Sequence, residues 1–500
     1  MLEALGILFE PTALLMMLAA MVWAIILGIL PGIGPSLAIA LTMPFTFFMK
    51  PALGLGTLVA IYNACIYGGS VTAVLINVPG TPGSAATCAD GFAMSQKGEA
   101  GKALGISIMA SAFGGLASAF ALLFFAPLIA RFALMFGPAE YFWLACWGLT
   151  IIAAVTGKKV FLKGLIATAI GFTLAMVGID SVTGQARYIF GLLDLYDGLD
   201  MLALVIGAFA VSQVLAMANE GGSISKVGKV TGKVMQGLWV PFKHWVTLLK
   251  STAIGIIFGA IPAVGMSAAS FFSYSEAMRS SKNPEKFGQG AEEGVVAPEA
   301  ANNATVGGGL IPALTLGIPG TESTAILLGG IFAYGLRPGK DIFVNNPAVF
   351  NCIVIALIFS CIMILLMGTL GANLFAKVTL VPGTILIPAI TVIYFVGAYA
   401  TGNRVFSILT AVVVGLMAFL MKRNGYSLIS MLLAFVLAPI TEDNFVRARM
   451  IGGENFFHSF LSNWLSIFLA VLTAASLLWA MTREVLKGRK KLKTATARAR

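Results

Sequence analysis

Gly28-Ile29-Leu30-Pro31-Gly32-Ile33-Gly34-Pro35-Ser36-Leu37-Ala38 is an apolar stretch interrupted by two prolines and three glycines. It returns 231 residues later as Gly259-Ala260-Ile261-Pro262-Ala263-Val264-Gly265-Met266-Ser267-Ala268-Ala269, with Gly, Pro, Gly, Ser and Ala in step. The first copy sits inside an apolar run from residue 12 to 48, too long for one membrane-spanning helix. Proline removes a backbone donor and glycine lowers the cost of unwinding, so a helix break is expected there. At membrane depth such a break survives only against protein or a wet cavity. A loop between two short helices is the competing reading.

Further along, the offset becomes 240. Asn63-Ala64 meets Asn303-Ala304, Gly68-Gly69 meets Gly308-Gly309, and Ala73 meets Ala313. Pro79-Gly80-Thr81 meets Pro319-Gly320-Thr321, and Ala85 meets Ala325. Those nine identities fill 23 ungapped positions; random matching gives about two. The nine extra residues fall in the polar segment 276–300. Asn, Thr and Ser match as well as Gly and Pro, and their order is kept. The chain therefore reads as two repeats.

Apolar residues make up 58% of the 500 positions and charged ones 11%. A soluble domain cannot cover itself with so few charges. At about 20 residues per crossing, the apolar content allows roughly 10–14 transmembrane segments. Long apolar runs, rather than single alternation, argue against a β-barrel. The expected class is an all-α polytopic membrane protein in contact with membrane lipid. The net charge of +11 is better assigned to cytoplasmic loops than to nucleic acid. The five cysteines are scattered without metal-ligand spacing, and His244 and His458 lie far apart.

Charge also suggests the organisation. Residues 1–217 form the first repeat, 251–482 the second, 218–250 a basic cytoplasmic linker, and 483–500 a basic cytoplasmic tail. The linker holds Lys226, Lys229, Lys233, Lys243 and Lys250 against Glu220. Glu3 and Glu10 precede the first copy and no basic residue comes before Lys50. Residues 12–30 thus read as a retained span rather than a cleaved signal. Equivalent helices would then enter from opposite sides, which is an inverted repeat of the kind found in secondary transporters.

Two re-entrant hairpins are expected, at about 68–91 and 308–330, with arms of about ten residues. Their tips are Val78-Pro79-Gly80-Thr81-Pro82-Gly83-Ser84 and Ile318-Pro319-Gly320-Thr321-Glu322-Ser323-Thr324. Helix N-termini there would offer backbone N–H groups to a carboxylate. Thr81, Gly83, Ser84, Thr321, Ser323 and Thr324, with Gly32, Ser36 and Ser267 from the broken helices, are the candidate substrate-binding residues. Asn63, Asn77, Asn303 and Glu322 are the candidate cation-binding residues. No metal other than Na⁺ is expected, and no cofactor. Any single hydroxyl can instead bond back to its own helix. Glu292, Glu293 and Glu299 lead into the second hairpin and could line a cation path or cap helices.

At these residues the sequence resembles the TctA family, the large membrane subunit of tripartite tricarboxylate transporters. The resemblance rests on Leu30-Pro31-Gly32-Ile33-Gly34-Pro35, Tyr67-Gly68-Gly69-Ser70, Asn77-Val78-Pro79-Gly80-Thr81-Pro82-Gly83-Ser84, Ala297-Pro298-Glu299-Ala300-Ala301-Asn302-Asn303-Ala304 and Leu316-Gly317-Ile318-Pro319-Gly320-Thr321. It implies a multi-pass permease of the bacterial inner membrane with its C-terminus in the cytoplasm. Such a permease imports citrate-like tricarboxylates or related organic acids on a Na⁺ or H⁺ gradient. Its implied partners are a periplasmic solute-binding protein and a small membrane subunit. No Gly-x-x-x-x-Gly-Lys-Ser/Thr run is present, in keeping with gradient coupling. Analogy with other two-hairpin carriers suggests an elevator-like motion. A gated channel for small organic anions is the rival reading. An enzyme is disfavoured because no nucleophile–base set or metal cluster stands out.

Overall fold

A computed structural model describes residues 1–30, 33–133, 135–156, 161–180, 184–220, 233–262, 264–378, 383–402, 404–453, 455–478 and 482. Pro31, Gly32, the linker residues 221–232 and the tail 483–500 lie outside that set. Most described residues are helical, and a two-residue antiparallel pairing joins Gly178–Ile179 to Ala186–Arg187. The chain is an all-α polytopic membrane protein. Among the described residues, five helices are long and apolar enough to cross a membrane: Pro11–Ile29, Pro51–Ile76, Ala100–Arg131, Pro347–Val378 and Val405–Arg423. Six shorter apolar helices accompany them. Apolar composition alone counted such pieces as whole spans; the chain breaks them into helices as short as Pro35–Thr46 and Glu322–Ala333.

The chain divides into two compact units, Met1–Leu134 with Val205–Gly415, and Met135–Leu204 with Leu416–Arg500. The first unit contains both copies of the repeat. Its first copy runs α1 (Pro11–Ile29), α2 (Pro35–Thr46), α3 (Pro51–Ile76), α4 (Thr87–Gln96) and α5 (Ala100–Ala133). The second runs α6 (Trp245–Ala260), α7 (Gly265–Ser280), α8 (Glu293–Leu316), α9 (Glu322–Ala333) and α10 (Pro347–Val378). Proline opens α1, α2, α3 and α10 at the first helical position, where its missing N–H would have had no partner.

The repeat is exact to the residue at its breaks. Helix α1 ends at Ile29 and Leu30 is extended (φ −81°, ψ 116°). Helix α6 ends at Ala260, and Ile261, 231 positions on, is extended too (φ −84°, ψ 118°). The expected interruption near residues 30–34 is therefore present, and its copy with it. Helices α3 and α8 end 240 residues apart, on Asn77 (φ 58°) and Gly317 (φ 71°) in the left-handed region. After each, the N–H of Val78 or Ile318 bonds back to the carbonyl of Thr72 (3.4 Å) or Pro312 (3.3 Å). The left-handed residue thus turns the chain back onto a carbonyl of the last turns.

The hairpins differ from the sequence expectation at their first arms. These arms are not ten-residue half-helices; they are the last turns of α3 and α8, 26 and 24 residues long. Gly68-Gly69 and Gly308-Gly309, the expected hairpin boundaries, both lie within helix. Their role is close packing. A Cβ on Gly68 would strike the Ile25 carbonyl, and one on Gly308 the Ile256 carbonyl. Gly80 in the first tip has no room for a Cβ beside the Gly28 carbonyl and Gly69. Gly320 in the second meets the Gly259 carbonyl and Gly309 in the same way. Each tip is thus seated on its own repeat's broken helix through three glycines.

The stretch read as a linker is partly built into the fold. Val234–Leu238 is helical, and α6 already begins at Trp245. A Cβ on Gly237 would collide with the backbone of Lys102, so this short helix lies directly on α5.

In the second unit, helices Pro138–Thr156, Phe161–Ala175 and Leu428–Gly452 pack together. Ala139, Ala448 and Phe460 form an apolar cluster with Phe142, Trp143 and Phe445 against it. Arg187 makes a fork to Glu442 at 2.6 and 3.1 Å and a second ion pair to Asp180 at 3.2 Å.

Candidate functional site

The two tips occupy the interior of the first unit. Thr81, Ser84, Thr321, Ser323 and Thr324 are all buried. Each tip is gripped by the other copy's broken helix. Helix α2 packs on α9, where Ser36 and Ser323 share a hydrogen bond of 3.1 Å. Helix α7, carrying half-buried Ser267, packs on the 3-10 turn Pro82–Ala85 of the first tip. The position matching Ser323 there is Gly83, which has no hydroxyl to offer Ser267.

Thr321 caps α9. Its N–H donates to Thr324 Oγ1 (2.9 Å), and its own Oγ1 accepts from the Thr324 N–H (3.2 Å). Tyr62 Oη on α3 lies 2.9 Å from the same Thr321 oxygen. The second tip is therefore fully bonded. The first tip is not. The Thr81 N–H reaches Ser84 Oγ at 3.3 Å, but Thr81 Oγ1 is buried with no hydrogen-bond partner among the described residues. The residue matching Tyr62 in the second copy is Asn302. It is fully buried, and neither its Oδ1 nor its Nδ2 has a partner among the described residues. Its amide sits against Gly83, where a Cβ would run into Asn302 Oδ1. Leaving such a group unmade costs about 1–3 kcal/mol. Such groups call for a partner from outside the protein, whether ordered water, an ion or a ligand.

Asn63 and Asn303 face each other across the two copies. Asn303 Nδ2 donates to Asn63 Oδ1 at 2.9 Å, while Asn63 Nδ2 donates to Ser360 Oγ at 2.8 Å. Asn303 Oδ1 has no partner. Asn77 is brought to none of these groups: it is exposed, and its left-handed backbone ends α3. Glu322 is exposed at the first position of α9, where a carboxylate complements the helix N-terminus. Gly32 lies outside the described residues.

The acidic segment divides by role. Glu292 accepts from His244 Nε2 at 3.2 Å and pairs with Lys102 at 2.7 Å. Those partners, His244 first, hold its carboxyl down at about 2. Glu293 accepts from Thr247 at 2.9 Å. Glu299 is fully buried.

Sequence reasoning missed Asn302 and Tyr62 as site members. The two are equivalent in position but not identical, so a search for matching residues passes over them.

The family description "Tripartite tricarboxylate transporter TctA family" matches residues 14–433. The chain belongs to the TctA family. A relative of this TctA chain from Agrobacterium vitis, titled an uncharacterized 52.8 kDa protein in the TAR-I ttuC' 3'region, is 36% identical over 430 residues. That match covers 85% of each chain. A second Agrobacterium vitis protein, from the TAR-II ttuC' 3'region, is 36% identical over 197 residues. It covers 39% of this chain and 81% of its own length. No solved structure matches the chain. Membership makes this chain a multi-pass membrane subunit of the tripartite tricarboxylate transporter type. The family works with a periplasmic binding protein and a small membrane subunit.

Proposed function

We propose that this chain is the ion-gradient-driven permease of a tripartite importer for citrate-like tricarboxylates or related organic acids, working by elevator-like alternating access. It resides in the bacterial inner membrane as inverted repeats, with its C-terminus in the cytoplasm. It accepts substrate from a periplasmic binding protein, with a small membrane subunit beside it. The observation that carries the reading is the unfilled bonding at the first tip: Thr81 Oγ1 and both polar atoms of Asn302 are buried and unpaired among the described residues. The Thr81 hydroxyl and the Asn302 amide N–H can donate to a carboxylate, and Asn302 Oδ1 can accept from a hydroxyl of the same substrate.

The test is uptake of radiolabelled citrate into proteoliposomes that hold this chain and its small subunit, with the purified binding protein outside. Inward Na⁺ and H⁺ gradients are imposed separately. The expected result is saturable uptake that requires the binding protein and one gradient. Flux that never saturates and ignores both gradients would make the protein a channel. Failure to take up any di- or tricarboxylic acid, with inserted protein, would refute the importer reading.

A further inference from the structure

Glu299 on α8 is wholly buried, and its carboxylate is surrounded by hydroxyls. Ser70 on α3 donates to Oε2 at 2.7 Å, as do Ser107 and Ser111 on α5, each at 2.9 Å. Thr87, the first residue of α4, donates to Oε1 at 2.5 Å. Three helices thus bring four hydroxyls to a carboxylate carried by a fourth. Among the described residues no lysine, arginine or backbone N–H bonds to it.

The other buried acid of this unit shows what a purely structural carboxylate looks like. Asp90 accepts from the N–H groups of Gly290 and Ala291 at 2.8 and 2.7 Å, and from Tyr274 Oη at 2.8 Å. Amide N–H groups can only donate, so that arrangement is fixed around the anion. A hydroxyl also carries lone pairs and turns freely about its C–O bond. It can point its proton at the carboxylate, or swing it away and present oxygen to a cation. Glu299 and its four neighbours therefore offer up to six oxygens and one negative charge. Hard oxygen ligands of that number suit an alkali cation. A buried ion without a counter-charge is costly, and within a membrane it marks an ion pathway.

We propose that Glu299, Ser70, Thr87, Ser107 and Ser111 form the site for the coupling cation, a dehydrated Na⁺. The proposal rests on reading the chain as a gradient-driven carrier and names where the ion is held. Placement joins this site to the first tip. Thr87 follows Ser84 by three residues, and Ser70 follows Gly69, against which Thr81 is seated. Asn302 stands three residues after Glu299, on the same face of α8. A cation held here draws α3, α4, α5 and α8 together around Thr81 and Asn302. Carboxylate affinity then rises with Na⁺, and Na⁺ affinity rises with carboxylate by the same factor.

The test reads thermal unfolding of the purified protein in detergent while NaCl replaces choline chloride at constant ionic strength. The expected result is a Na⁺-dependent rise in Tm that saturates. Ser111→Ala or Thr87→Val raises the half-saturating Na⁺ roughly tenfold, Glu299→Gln removes the response, and Glu276→Gln on the surface leaves it unchanged. Should Glu299→Gln not fold, the two hydroxyl variants decide the matter. Absence of any Na⁺-specific rise in the wild type would overturn the proposal. So would a rise undiminished in the hydroxyl variants, or a Tm that follows pH and not Na⁺, as a proton site would give. Citrate uptake without a Na⁺ response sinks the cation site and spares the carrier. A Na⁺ response without uptake of any acid does the reverse.

Discussion

Asn63 and Asn303, 240 positions apart, are joined side chain to side chain by a hydrogen bond of 2.9 Å. Equivalent residues of the two copies therefore meet where α3 and α8 come together. The pair carries no charge and is fully buried, so it acts as a polar pin between the repeats. Asn303→Leu leaves Asn63 Oδ1 without its donor. We expect a loss of about 1–3 kcal/mol, read as a lower unfolding temperature in detergent. Wild-type stability in this variant would mean the pin is dispensable.

The glycine seats of the two tips are equivalent, and their variants should behave alike. In Gly80→Ala and Gly320→Ala the new methyl group lands on a backbone carbonyl, of Gly28 or Gly259. Backbone cannot step aside as a side chain can. Each variant should lose about 1–3 kcal/mol and show reduced folded yield on size-exclusion chromatography. Unchanged yield in either would show that its tip can lift off its seat.

Acid should weaken the fold through Glu292. Its carboxyl is held at about 2 by His244 and Lys102, against roughly 4.3 in an unfolded chain. Because the folded value is the lower one, the stabilisation is complete above about pH 4.3 and lost as pH falls toward 2. Tm measured from about pH 5 downward should fall faster in wild type than in Glu292→Gln. Parallel curves would show that this ion pair contributes nothing to the pH response.

Much of this architecture can be read from residues because it depends on the backbone. Pro35 opens α2, Pro79 and Pro319 follow the ends of α3 and α8, and the offsets of 231 and 240 survive into matched backbone torsions at Leu30 and Ile261 and at Asn77 and Gly317. The glycine pairs misled because glycine serves two purposes. At Gly68 and Gly308 it admits a neighbouring backbone, and sequence does not distinguish that from a helix end. Hydroxyls at the tips were legible as a group, but their division into a bonded and an unbonded tip was not. It turns on the exchange of Tyr62 for Asn302 and of Ser323 for Gly83, where the copies differ. Asn77 was read as a cation ligand from its amide, whereas its exposure and left-handed backbone make it a helix terminator. Glu299 was visible as an acid in an apolar context. Its hydroxyl partners come from positions 70, 87, 107 and 111, which only folding brings together.

The asymmetry between the tips gives the most direct test of where substrate is held. Uptake kinetics and Tm are measured together for Thr81→Val and Thr321→Val. Among the described residues Thr81 Oγ1 has no partner to lose, so Thr81→Val should keep or slightly raise Tm while KM for the carboxylate rises roughly tenfold, the value of one hydrogen bond to a charged group. Thr321→Val breaks the bonds to Tyr62 and Thr324 and should lower Tm by weakening the cap of α9. An unchanged KM in Thr81→Val, with uptake otherwise intact, would contradict the placement of the substrate at the first tip.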